Sequence, residues 1–225
     1  VGVLAVDASR RARLLGLWSL LVYLFLYAPL AVLAAFSFNE ERLTAQWRGF
    51  TLDWYARLLE NDQILQALRN SLLVAVAATA AATAIATAAA LAFFRHRFRR
   101  QAALDALITL PIVIPEIVMA SSLLLLFAGL GLRLGFATVV LAHVAFAVSY
   151  AVVVVRARLA GFDRSLEEAA MDLGARPVQV FWLVTLPMIA QSLVSAWLLP
   201  FTLSLDDVVL SAFLSGPVAT TMPLV

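Results

Sequence analysis

The chain has 225 residues, 64% of them hydrophobic and only 13% charged, with a formal net charge of +2. A water-soluble domain of this length cannot hide that much apolar surface, so the solvent for most of it is lipid. Cysteine is absent, which excludes disulfides and thiolate metal sites. Lysine is absent too, and all sixteen strongly basic residues are arginine. That excludes a Walker A loop, which needs a lysine on the nucleotide phosphates. A pI near 9.5 invites a nucleic-acid partner. The arginines, however, sit at the ends of apolar runs, where positive charge sets membrane orientation, so no nucleic-acid partner is expected.

Five apolar runs are long enough to cross about 30 Å of hydrocarbon: residues 14–38, 70–94, 103–130, 136–155 and 189–213. The first follows Arg10, Arg11 and Arg13. It is too long for the apolar core of a signal peptide and reads as an uncleaved span. Val1 is not an initiator methionine, so the natural start is expected to lie upstream. Residues 39–69 are polar, but Leu52, Trp54, Tyr55, Leu58 and Leu59 make an apolar stripe at helical spacing. This predicts an amphipathic helix at the membrane interface. The second run is rich in alanine, with Thr79, Thr83 and Thr87 four apart. Small residues let helices approach closely and threonine can bond across them, so this span should be central. Gly131 and Gly135 flank Arg133 in a short turn and are not a dimerisation motif. Eleven arginines fall on one side of this arrangement: Arg10, Arg11 and Arg13, then Arg95, Arg97, Arg99 and Arg100, then Arg156, Arg158, Arg164 and Arg176. Arg42, Arg48, Arg57, Arg69 and Arg133 fall on the other. The arginine-rich side, with the N-terminus, belongs in the cytoplasm.

Between the fourth and fifth runs the chain is polar and helix-like. Ser165-Leu166-Glu167-Glu168 has the form of a capping box, with Ser165 at the N-cap. Gly174 suits the left-handed residue that ends such a helix, Pro177 can open a second helix, and Leu186-Pro187 would close the loop at the membrane. Two short helices at a fixed angle make a lever, and Ala169 and Ala170 give it a small-residue face. The pattern Glu168-Ala169-Ala170, three residues, Gly174, nine residues, an aliphatic residue, one residue, then Leu186-Pro187 resembles the EAA loop of ABC-importer permeases. The likeness continues through Phe201 to Asp207, Ser215-Gly216-Pro217 and Thr220-Thr221-Met222-Pro223, and through Tyr27-Ala28-Pro29, Pro111 to Glu116 and Leu141-Ala142-His143. Over nearly the whole chain it is similar to the polyamine permeases of putrescine/spermidine importers.

That resemblance implies an all-α, polytopic transmembrane bundle of the type I ABC importer kind, as one permease domain over residues 1–225. It usually has six spans, so a sixth is expected beyond the five seen here. It implies a bacterial inner-membrane subunit that does no chemistry and forms half of an import path. A second homologous permease, two ATPase subunits and a periplasmic polyamine-binding protein are its expected partners, with surrounding lipid. This chain would bind no cofactor, and ATP and Mg would sit on the ATPase. Glu168, Ala169, Ala170, Asp172 and Gly174 would touch that ATPase in the coupling loop, about residues 157–187. Import of iron, thiosulfate, an opine or a phosphonate is the alternative within the family.

Charged groups inside spans are expensive and mark function. Glu116 falls about thirteen residues into the third run, roughly 20 Å along a continuous helix, with Pro111 and Pro115 before it to open the backbone. Asp206 and Asp207 lie near the end of the fifth run, one of them rather than both being expected on the path. These carboxylates suit the ammonium groups of a diamine, and Trp47, Tyr150 and Trp197 could add cation–π attraction. His143 has no second ligand at i+3 or i+4, so it is read as a hydrogen-bonding group between helices and no metal is expected. An intramembrane protease is disfavoured, because Ser149 and His143 are six apart on opposite faces of one span. A stand-alone carrier is disfavoured too, since no inverted repeat is visible.

Overall fold

The structure, a computed structural model, describes residues 2–41, 46–97, 99–217 and 219–225, with side chains from Arg13 onward. Arg42 therefore lies outside the described residues, as do the side chains of Arg10 and Arg11. The described residues are helical apart from turns and one isolated antiparallel bridge, Asn39 to Phe50. They fall into two compact units, Val1–Asp62 and Gln63–Val225.

In the first unit, α1 (Gly2–Phe36) is a single long helix. Its side chains are exposed all round from Arg13 to Ala35. A helix apolar on every side is built for lipid or for other helices. The loop that follows is organised by Asn39, which is fully buried. Its Nδ2 donates to the Gln46 carbonyl at 2.7 Å, its Oδ1 accepts the Arg48 amide at 2.9 Å, and its own carbonyl accepts the Trp54 indole N–H at 2.9 Å. The loop leads into α2 (Asp53–Glu60), the expected amphipathic helix, on which Tyr55, Leu58 and Leu59 stay exposed.

The second unit is a bundle around α3 (Asp62–Arg95), α6 (Phe136–Leu159) and α9 (Leu186–Leu205). On α3, Ala75, Ala78, Ala82, Ala86 and Ala90 form one stripe of completely buried residues. This small-residue face packs α3 closely onto the bundle, but its other face, with Leu72, Leu73, Val76 and Ile85, stays exposed, and α6 is the more deeply buried span. The threonines behave differently from expectation. Thr79 and Thr87 bond back to the carbonyls of Ala75 and Thr83 on their own helix, both at 2.6 Å. Only Thr83 crosses, reaching the Ala196 carbonyl at 3.4 Å. A threonine hydroxyl finds the carbonyl one turn back before any neighbour does.

Two apolar clusters hold this bundle. At the arginine-rich end, Ala86, Ala90 and Leu91 pack with Ala151, Val152 and Val155 of α6 and with Ile189 and Ala196 of α9. At the other end, Val74 packs with Ala120 and Phe127, with Val139 and Ala142, and with Leu210 and Leu214 of α10 (Val209–Leu214).

Two of the expected spans need correction. The third is not continuous. It is α4 (Gln101–Val113) and α5 (Glu116–Gly129), which diverge by 111°. Ile114 and Pro115 are extended, with ψ of 132° in both. The ring of Pro115 disfavours a helical Ile114 and removes the amide that α5 would need to continue α4. The fifth begins earlier than residue 189. From Pro177 the chain runs as α8 (Pro177–Val180), a π-helical turn (Phe181–Thr185) and α9, together a 29-residue apolar rod. Leu186-Pro187 does not end a helix. Pro187 cannot donate to the carbonyl four residues back and its ring crowds that carbonyl. The wider turn just before it makes room, closed by the Leu186 amide on the Phe181 carbonyl. Among the described residues, four helices are long and apolar enough to cross a membrane, five if α4 and α5 count as one span.

Candidate functional site

The break at Pro115 puts Glu116 in the first turn of α5, where a carboxylate meets the positive end of the helix dipole. Glu116 is thus at a helix start instead of 20 Å along a rod. On the neighbouring segment, α9 ends at Leu205 and Asp206-Asp207 link it to α10. Asp207 is buried, and its carboxylate is heavily used. It accepts the amides of Leu210 and Ser211 at 3.2 and 2.9 Å and the Ser211 hydroxyl at 3.0 Å, and so fixes the start of α10. On its other side lies His143 of α6, with Nε2 at 3.1 Å from Asp207 Oδ2 and Nδ1 at 2.6 Å from Ser204 Oγ. His143 is the hydrogen-bonding group between helices that its isolation suggested.

An open cavity of about 440 Å³ is lined by Glu116, Tyr150, Asp206 and Asp207 among others. The Glu116 carboxyl lies within hydrogen-bonding reach of that of Asp207 at its wall. Phe146, whose ring lies 4.8 Å from that of Tyr150, completes an aromatic wall. Four of the residues singled out from the sequence thus come together. Trp197 does not join them. It stacks on Phe201 at 4.7 Å and faces a separate apolar depression lined by Thr83 and Thr87 of α3. One helical turn separates Trp197 from Phe201, and the face they share points away from Asp206. Trp47 lies in the first unit, edge-on to Phe36 at 6.0 Å.

At the arginine-rich end, α7 (Ser165–Asp172) lies in the expected loop. Its start differs from the predicted capping box: Arg164 holds the N-cap position with no side-chain cap bond, and Ser165 is already helical. The Ser165 amide instead donates to Asp163 Oδ1 at 2.9 Å. That contact, aided by the Ser165 hydroxyl, holds the exposed Asp163 carboxyl below its ordinary range. The helix end is as expected. Gly174 has φ of +89°, its amide meets the Met171 carbonyl at 2.9 Å, and the Ala175 amide meets the Ala170 carbonyl at 3.0 Å. This is the paired closure of a Schellman motif. Pro177 then opens α8, with the Gln179 side chain accepting the Arg176 amide at 2.8 Å.

Glu168, Ala169 and Asp172 are exposed on α7 and Ala170 is half-buried. The residue that sequence reasoning missed is Glu167, which turns inward. Its carboxylate accepts Arg95 Nη2 at 2.5 Å and the Thr185 hydroxyl. Burial pushes the Glu167 carboxyl up, but the bonds from Arg95 and Thr185 and the charges of Arg95 and Arg164 outweigh it and leave the carboxyl below its ordinary range. Nothing in the sequence pairs positions 72 residues apart, and Arg95 counts there as one more cytoplasmic arginine. The Glu167-Glu168 doublet was the sole signal: on a helix two adjacent acids cannot face the same way.

The family model for the binding-protein-dependent transport system inner membrane component matches residues 82–225. The chain belongs to this family. Among its relatives, the putrescine transport system permease protein PotI of Escherichia coli (strain K12) is 46% identical over 212 residues, covering 91% of this chain and 75% of that one. The spermidine/putrescine transport system permease protein PotC of Haemophilus influenzae (strain ATCC 51907 / DSM 11121 / KW20 / Rd) is 42% identical over 203 residues, covering 90% and 79%. The fold is shared with a bacterial ABC transporter involved in the import of the acidic polysaccharide alginate, at a TM-score of 0.73 and 18% identity, over 97% of this chain and 77% of that one. This permease is accordingly a multi-pass inner-membrane transport subunit of an ABC importer and not an enzyme.

Proposed function

We propose that this permease forms half of an import path for polyamines, with the acidic cavity as a transit site. The observation that carries the reading is the meeting of Glu116 and Asp206 with Tyr150 in one cavity beside an already engaged Asp207. Two carboxylates in a space of a few hundred cubic ångströms suit a flexible dication, and an aromatic wall adds about 0.5–2 kcal/mol of cation–π attraction. The names of the relatives point to the same cargo. Asp207 serves by holding α10 and adding negative potential, and Glu116 and Asp206 face the cargo. The site binds weakly, because tight binding would slow release, and a periplasmic binding protein supplies selection.

In this reading the N-terminus and α7 are cytoplasmic. The exposed face of Glu168, Ala169, Ala170 and Asp172, ended by Gly174, seats on one of two ATPase subunits that carry ATP and Mg. A second, homologous permease completes the path. The test is uptake of labelled putrescine and spermidine in cells carrying the full transport system, with Glu116→Gln and Asp206→Asn. A hydrogen bond to a charged group contributes about 1.5–3 kcal/mol. Each variant should therefore assemble normally and lose roughly tenfold or more of its uptake at low concentration. Undiminished uptake in both would remove the cavity from the path. Unchanged polyamine uptake on deleting the subunit would assign it another cargo.

A further inference from the structure

Helix α7 has one buried side chain, and that side chain is charged. Glu167, only 6% exposed, touches neither the cavity nor the face offered to an ATPase. It reaches Arg95 at the last residue of α3 and Thr185 at the last residue of the π-helical turn leading into α9. Arg95 Nη2 also donates to Thr185 Oγ1 at 3.2 Å, so the three side chains close a triangle. A further positive charge stands close by: the Arg164 guanidinium lies over the Phe94 ring at 5.8 Å and acts on Glu167.

We infer that the Arg95–Glu167–Thr185 triangle makes α7 move as one piece with the ends of α3 and α9, so that these are positioning residues for transport. The inference rests on the reading of α7 as the segment an ATPase moves. Its physical basis is the kind of contact involved. Apolar surfaces slide past one another at little cost, whereas charge-assisted hydrogen bonds are short and directional. A short helix exposed on its other faces would slide or tilt over the bundle if apolar contact alone held it. Gripped at a buried carboxylate, it must carry α3 and α9 with it or leave an uncompensated charge inside the protein. The grip on α9 falls at a π-helical turn, a local feature common at functional sites.

The test uses the complete complex of this permease, its partner permease, ATPase and binding protein, reconstituted in vesicles. Labelled putrescine and spermidine uptake and ATP hydrolysis are measured together. Glu167→Gln should assemble and hydrolyse ATP but move less cargo per ATP, by roughly threefold to thirtyfold, the range for breaking an energetic link between sites. Thr185→Val should shift the ratio the same way by less. The charge swap Arg95→Glu with Glu167→Arg should recover most of the ratio that either single change loses. A wild-type ratio in Glu167→Gln overturns the inference. So does a parallel fall of uptake and hydrolysis that tracks lost assembly and that the swap does not recover, since that marks a merely structural staple. Gly174→Pro distinguishes the underlying reading: normal uptake in that variant would overturn α7 as the ATPase contact, whatever Glu167→Gln does.

Discussion

His143 and Asp207 meet deep in the bundle, with side chains 1% and 2% exposed. Losing the imidazole would leave Ser204 and one face of the carboxylate without partners. Leaving a buried polar group unsatisfied costs about 1–3 kcal/mol. The Leu210 and Ser211 bonds persist, so the loss stays short of that for a wholly unpaired buried charge. We expect His143→Ala to lower the unfolding midpoint of the permease in detergent accordingly, and Ser204→Ala to do so by less. An unchanged midpoint in His143→Ala would mean the pair holds nothing. At this scale the sequence was half legible. Composition made Glu116, Asp206 and Asp207 conspicuous, because acids are rare in apolar runs. Which of them is engaged depends on a histidine 64 residues away, and no local pattern carries that.

Helix ends were the most readable elements where backbone chemistry dictates them. Gly174 stops α7 for a reason the residue carries with it, whereas Pro115 breaks a run that reads as continuous and Pro111 and Pro200 are carried inside helices. The capping box failed because Asp163, two residues before Ser165, captures its amide and starts the helix at a different point. Two glycines separate backbone strain from crowding. Gly174 has φ of +89° with nothing near its absent side chain. Alanine there should cost about 1–2 kcal/mol of left-handed strain alone. Gly216 has φ of +57°, and an added Cβ would fall 2.6 Å from the Leu134 carbonyl oxygen, a backbone atom that cannot swing aside. The segment after it is held to α3 by Asn70 on the Thr220 carbonyl at 3.0 Å and by the Met222 amide on Ser71 Oγ at 2.8 Å. Gly216→Ala should therefore destabilise more than Gly174→Ala and release amides near Met222 to hydrogen exchange. Equal effects would show that crowding at Leu134 is relieved elsewhere.

For the whole molecule, the apolar runs located the candidate spans and the arginine bias carries the proposed polarity, while the bend between α4 and α5 and the early start of the last span needed coordinates. The proposed polarity has a direct check, because the chain contains no cysteine. A single cysteine at Ala175 should react with an impermeant maleimide only from the cytoplasmic side, and one at Arg133 only from the other. The reverse pattern would invert the orientation. Between those two ends runs the rod from Pro177 to Leu205, with its π-helical turn. A turn closed by i→i+5 bonds holds one residue more than one closed by i→i+4, and one residue is about 100° of rotation about a helix. Counted from the cavity, α8 is therefore out of phase with α9 by about that angle. The compass heading of the loop is set by the number of residues in one turn, whatever their side chains. A single deletion there would preserve the chemistry at both ends and still aim the loop at the wrong bearing.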